Sequence, residues 1–253
     1  MNKLRIISRL DIKNENLIKG IHLEGLKKIG DPNIYATQYY NEGIDEILIC
    51  DVVASLYERN SILKVINSIA KNVFVPICVG GGVRSINDVK MLLENGADKI
   101  FLNTAAIKRP KFINELSKIY GKSTIVVSIE AKKISNKWFV FTKNGREPTG
   151  LDVIKWSKKV EEMGAGEILI TSIDQEGTQK GFDLDLIKEI TKSIRIPLIA
   201  SGGMGKLEDL KDLIKFEPSG IAIASVLHYN KLKIKDIKKY ITKKLKKKIR
   251  NEK

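Results

Sequence analysis

Two carboxylates stand at the ends of apolar runs: Asp11 closes RIISRLD from Arg5, and Glu130 closes TIVVSIE from Thr124. Two such groups facing one substrate can take a proton from one atom and give one to another. Each also has a blander use, pairing with the lysine two residues on, Lys13 or Lys132. Glycine-rich turns accompany the carboxylates in duplicate. The run from Gly80 to Gly82 follows one apolar stretch and Asn103-Thr104 the next; Ser201-Gly202-Gly203 and then Ala224-Ser225 hold the equivalent places further on. Glycine lets the backbone approach an anion, and the amides at the following helix start point toward it. Glycine also serves tight turns alone, but the same pair of loops repeated favours two phosphate sites, and so a long, doubly phosphorylated ligand.

The elements that must position these groups are short β-branched runs alternating with charged segments of helical period, the pattern of βα units around a parallel sheet. Eight runs are present: RIISRLD, EILICD from Glu46, PICVGG from Pro76, KIFLNT from Lys99, TIVVSIE, EILITS from Glu167, PLIASGG from Pro197 and GIAIAS from Gly220. Polar residues gather at their ends, among them Asp51, Gly82, Asn103, Thr171 and Ser225. Active sites of closed parallel barrels are assembled there. The segment from Ile77 aligns without gaps to that from Leu198, and GIDEILICD from Gly43 matches GAGEILITS from Gly164. The chain is half a barrel written twice, and four strands do not close alone. A length of 253 residues suits a single (β/α)8 barrel, with halves at about 1–120 and 121–230. The charged segment from Lys13 to Pro32 reads as a long loop after the first strand, a lid in which Lys19 is placed to reach a substrate phosphate. His22 within it reads as structural or solvated, and His228 belongs to the start of a late helix.

The formal charge of +15 raises nucleic acid as a partner, but much of the excess lies in residues 231–253, without an aromatic stacking platform. That segment reads as a last helix fraying into a solvated tail, so neither nucleic acid nor a membrane is expected. No apolar stretch approaches a membrane span, and the amino-terminal residues lack the apolar region of a secretory signal, which places the protein in the cytoplasm. Cys50 and Cys78 lie in strand-like runs as structural thiols; no metal or cofactor is expected. At the starts of four strands stand Arg5, Glu46, Lys99 and Glu167, two cations and two anions able to pair as a ring closing the barrel bottom. Such a face ordinarily serves stability.

Across essentially its whole length the sequence resembles the cyclase subunit of imidazole glycerol phosphate synthase, through RIISRLDIK, KG at Lys19, GDP at Gly30, VGGG, GADK, NTAA, GAGEILITSID, GT at Gly177 and ASGG. The resemblance implies a subunit that takes ammonia from a glutaminase partner docked at the barrel bottom. It implies closure of an imidazole ring on a bisphosphorylated ribulosyl substrate, with release of a carboxamide ribotide. It turns the ring of Arg5, Glu46, Lys99 and Glu167 into an ammonia gate, puts Asp98 near the partner, makes Asp11 one catalytic acid-base group and adds Gly177 to the substrate-binding residues. Three positions depart from the family pattern: Glu130 and Glu176 replace aspartates, and Val53 stands where threonine is usual. RLDIK, GIHLEGL, ASLYERN and SIEAK also look like a paralogous group associated with amidotransferases of surface sugars, so the ammonia acceptor stays open. The related isomerase of the same pathway lacks the bottom ring and the match through GAGEILITSID. A scaffold or nucleic-acid binder would have lost the phosphate loops, which are present.

Overall fold

The computed structural model describes residues 3–52 and 60–250. Among the described residues twelve strands form one sheet. They are β1 (Arg5–Lys13), β2 (Asn16–Ile21), β3 (Glu24–Gly30), β4 (Glu46–Asp51), β5 (Ile77–Gly80), β6 (Lys99–Leu102), β7 (Ile125–Ile134), β8 (Lys137–Thr142), β9 (Glu147–Asp152), β10 (Glu167–Ser172), β11 (Leu198–Ser201) and β12 (Gly220–Ile223). Eight of these close a parallel ring in the order β1, β4, β5, β6, β7, β10, β11, β12 and back to β1. With helices outside, this is a (β/α)8 barrel.

Strands covered on both faces read as unbroken apolar runs, and all six residues of EILITS in β10 are buried. Their outward residues meet helix faces: Lys111–Tyr120 turns Phe112, Ile113 and Leu116 inward, and Leu184–Ser193 turns Leu186, Ile187 and Ile190. Inside the barrel, one residue from each ring strand builds an apolar layer of Ile7, Leu48, Cys78, Phe101, Val126, Leu169, Ile199 and Ala222. Helix starts are capped where βα turns must be tight. Ser85 and Asp88 form a reciprocal capping box, and Asp152 accepts from the Lys155 amide at 2.9 Å.

Two expectations are corrected. The segment read as a long loop is a hairpin extension: β1 runs on to Lys13 and pairs antiparallel with β2, which pairs with β3. The other half repeats the device through β7, β8 and β9. Asn14 and Ser135 adopt positive φ at the two tight turns, while bulges in the β2–β3 pairing blur the two-residue alternation that would mark strands. Residues 231–250, in turn, do not fray into solvent. After the helix Ile234–Lys239 and a π turn at Tyr240–Lys244, the chain doubles back: Leu4 donates to the Lys248 carbonyl at 3.1 Å, and Arg250 donates to that of Leu4 at 3.0 Å. Ile237, Ile241 and Ile249 supply the buried face that its lysines obscured. Ile249→Ala should therefore cost about 2–5 kcal/mol in urea unfolding, where a solvated tail would give no change. Val53 and most of ASLYERN lie outside the described residues.

Candidate active site

Alternation along β1 aims Arg5, Ile7, Arg9 and Asp11 into the barrel. Asp11 is 4% exposed, and its partners are not Lys13. Arg9 Nε donates to Asp11 Oδ1 at 2.8 Å, and Lys19 Nζ from β2 lies 3.5 Å from Oδ2 while also ion-pairing with Glu176. Burial alone would raise the Asp11 carboxyl; the charges of Arg9 and Lys19 outweigh it and hold the group below its usual range. Lys19, expected to await a phosphate, is thus 3% exposed and engaged by two carboxylates.

Glu130 meets different surroundings. Its Oε2 accepts from the Gly145 amide at 2.8 Å, at the turn between β8 and β9, and Lys132 lies instead over the Phe141 ring. Burial pushes Glu130 up to about 7, against the opposing pull of the Gly145 amide, Arg9 and Asn103. The two carboxylates are therefore unequal. At neutral pH Asp11 is an anion, whereas Glu130 is close to half protonated.

A cavity of about 680 Å³ opens beside Glu130, lined by Arg9, Asp51, Gly82, Asn103 and Thr104 among others. Thr104 begins the short helix Thr104–Lys108, and Gly81 and Gly82 take the positive φ that frees their backbone to face the opening. The equivalent residues of the second half are outside the cavity lining. Gly203 gives its carbonyl to the Gly181 amide at 2.8 Å, Ser225 begins the helix Ser225–His228 after Ala224, and both Thr171 and Ser201 face Arg9. Gly177 packs against the Gly20 carbonyl, and the His22 amide donates to the Glu176 backbone carbonyl at 2.8 Å. The β2–β3 hairpin thereby packs on the loop after β10 in the second half.

At the barrel bottom every cation of the ring meets both anions. Arg5 pairs with Glu46 at 2.6 Å and with Glu167; Lys99 lies 3.1 Å from each carboxylate. Asp98 is exposed beside this ring, where its carboxylate accepts from the Ile77 amide at 2.8 Å.

The sequence reading missed Arg9, whose partners Thr171 and Ser201 lie far along the chain, at 3.0 and 3.5 Å from Nη1. It also missed Gly145. His228 bridges Tyr39 and the Arg9 carbonyl, and burial lowers it to about 4, so it is neutral. His22 Nδ1 contacts the Ile173 carbonyl at 2.9 Å.

A family model described as "Histidine biosynthesis protein" matches residues 5–233. The chain belongs to this family. Similar curated proteins are named "Imidazole glycerol phosphate synthase subunit HisF". One from Legionella pneumophila is 55% identical over 83% of this chain and 99% of its own length. One from Sulfurisphaera tokodaii is 44% identical over 96% and 98%, and one from Pyrococcus furiosus 41% identical over 94% and 95%. Among the described residues no helix is long and apolar enough to cross a membrane.

Proposed function

We propose that this chain is the cyclase subunit of an imidazole glycerol phosphate synthase. It uses ammonia from a glutaminase subunit to close an imidazole ring on a bisphosphorylated ribulosyl carboxamide substrate, giving imidazole glycerol phosphate and aminoimidazole carboxamide ribotide for histidine biosynthesis in the cytoplasm. The observation that carries this reading is the pair of unequal carboxylates at the mouth of a barrel so similar to proteins of that name. Asp11 accepts a proton and Glu130 gives one. Gly82, Asn103 and Thr104 hold one phosphate, with Asp51 beside them binding the substrate; Thr171, Gly177, Ser201, Gly203, Ala224 and Ser225 serve the other end, with Lys19 joining once released from Glu176. The glutaminase docks on the amino-terminal face beside Asp98. Ammonia enters through Arg5, Glu46, Lys99 and Glu167, then crosses the apolar layer above them, where a neutral molecule passes at far lower cost than ammonium.

Glu130 favours a second reading, an ammonia-channelling subunit acting with an amidotransferase on surface-polysaccharide sugars. Where the family pattern has aspartate, its longer side chain reaches Gly145. Turnover with the ribulosyl substrate and ammonium salts separates the two. The wild type should form the imidazole product, and Glu130→Asp, drawn back from the Gly145 amide, should turn over about 10²-fold more slowly. A wild type that binds the substrate without converting it, with turnover gained in Glu130→Asp, would transfer the conclusion to the sugar reaction.

A further inference from the structure

We propose that Arg9 is a positioning residue. Its guanidinium, fixed between Asp11 on its own strand and the hydroxyls of Thr171 and Ser201 across the barrel, holds Asp11 as the anionic member of the carboxylate pair and leaves Glu130 as the proton carrier. The inference rests on the ring-closing reading for its chemistry, though the charge arrangement exists without substrate.

Charge balance argues for it. Arg9, Lys19, Asp11 and Glu176 are all buried, and their ion pairs join two cations to two anions. Glu130 is a further buried carboxylate in the same mouth, as Asp51 is, and among the described residues it accepts from the Gly145 amide and makes no ion pair. Ionising it would bury a charge that has no ion-pair partner of its own, which favours its neutral form. Asp11 also faces His228 from the helix Ser225–His228 and Cys50 from β4, both uncharged at neutral pH. Glu130 faces Asn103, Asp11 and Arg9 besides Gly145. Arg9 is the charged group common to both carboxylates that also donates across the barrel, to β10 and β11. The planar fork of arginine suits that task; lysine would bring a point charge unable to hold all three partners. A guanidinium there merely as a counter-charge would be replaced by lysine without loss of turnover.

The test compares wild type, Arg9→Met and Arg9→Lys. Carboxyl carbon NMR follows Asp11 and Glu130 through a pH titration without substrate, and kcat and KM are measured against pH with ammonium salts. In Arg9→Met, the Asp11 titration should move up by at least about one pH unit, carrying the acid limb of activity with it. Its kcat should fall about 10²-fold while KM stays within about threefold. Arg9→Lys should return the titration to within about half a unit of wild type, with kcat still about tenfold low. An unmoved Asp11 titration in Arg9→Met overturns the proposal, as does wild-type kcat in Arg9→Lys, which stands as the test if the methionine variant does not fold. Absence of turnover in the wild type would remove the ring-closing reading instead, and the NMR arm would still decide whether Arg9 governs Asp11.

Discussion

Asp11→Asn should lower kcat by about 10²- to 10⁴-fold while the substrate still binds, because the amide keeps the shape of the group but cannot accept a proton. The same change should destabilise the fold. Arg9 and Lys19 both lose their contact with a buried anion, Lys19 keeping only Glu176. Removing one partner from a buried ion pair costs about 3–5 kcal/mol. The pH dependence has a definite sign. Asp11 is depressed in the folded chain, so its contribution is fully present above the unfolded carboxyl pKa of roughly 4 and is lost as pH falls through the lower folded value. Denaturant unfolding should separate wild type from Asp11→Asn fully at pH 7 and by progressively less below about pH 4. A constant gap at all pH values would mean that the carboxylate charge is not what the two cations hold.

Glu130→Gln should behave oppositely in stability and alike in rate. The folded carboxyl is raised to about 7, so the folded state binds a proton that the unfolded chain releases near pH 4.5, and stability falls as pH rises between those values. A shift of this size corresponds to about 3 kcal/mol, all of it a penalty above pH 7. Glutamine removes the penalty. The variant should exceed wild type by up to about 3 kcal/mol at pH 8, match it below pH 4.5, and turn over about 10²- to 10⁴-fold more slowly. A gain in stability with loss of activity is the mark of a group retained for chemistry. A Glu130→Gln protein less stable than wild type at pH 8 would mean that the Gly145 amide needs the anion.

The ring strands were legible because strands buried on both faces must be apolar throughout, and EILICD and EILITS have few other places to go. The opposed carboxylates followed from the repeat, since symmetry alone puts Asp11 across the mouth from Glu130. The hairpins were not legible. Asn16–Ile21 buries Leu17, Ile18 and Lys19 in succession, so the stretch lacks the alternation of a strand exposed on one side. Arg9 was hidden for another reason: one cation within RIISRLD looks like an ordinary strand residue until β10 and β11 bring Thr171 and Ser201 to it. The lysines of residues 231–250 drew attention from the isoleucines that anchor them. For Arg9 and for the final segment the deciding partner was remote in sequence, where neither period nor spacing reports it.

The pairing of Leu4 with residues 248–250 has a consequence for how the chain is made. Among the ring strands β1 leaves the ribosome first, but one of its two ring neighbours, β12, is the last to appear. Throughout elongation β1 therefore carries an open edge, and so does the newest strand, each a template for pairing with a neighbouring nascent chain. Sealing is a late event, and the latch across the seam arrives later still. A chain stalled before Gly220 would leave β1 and β11 each without β12, two unpaired edges on one molecule.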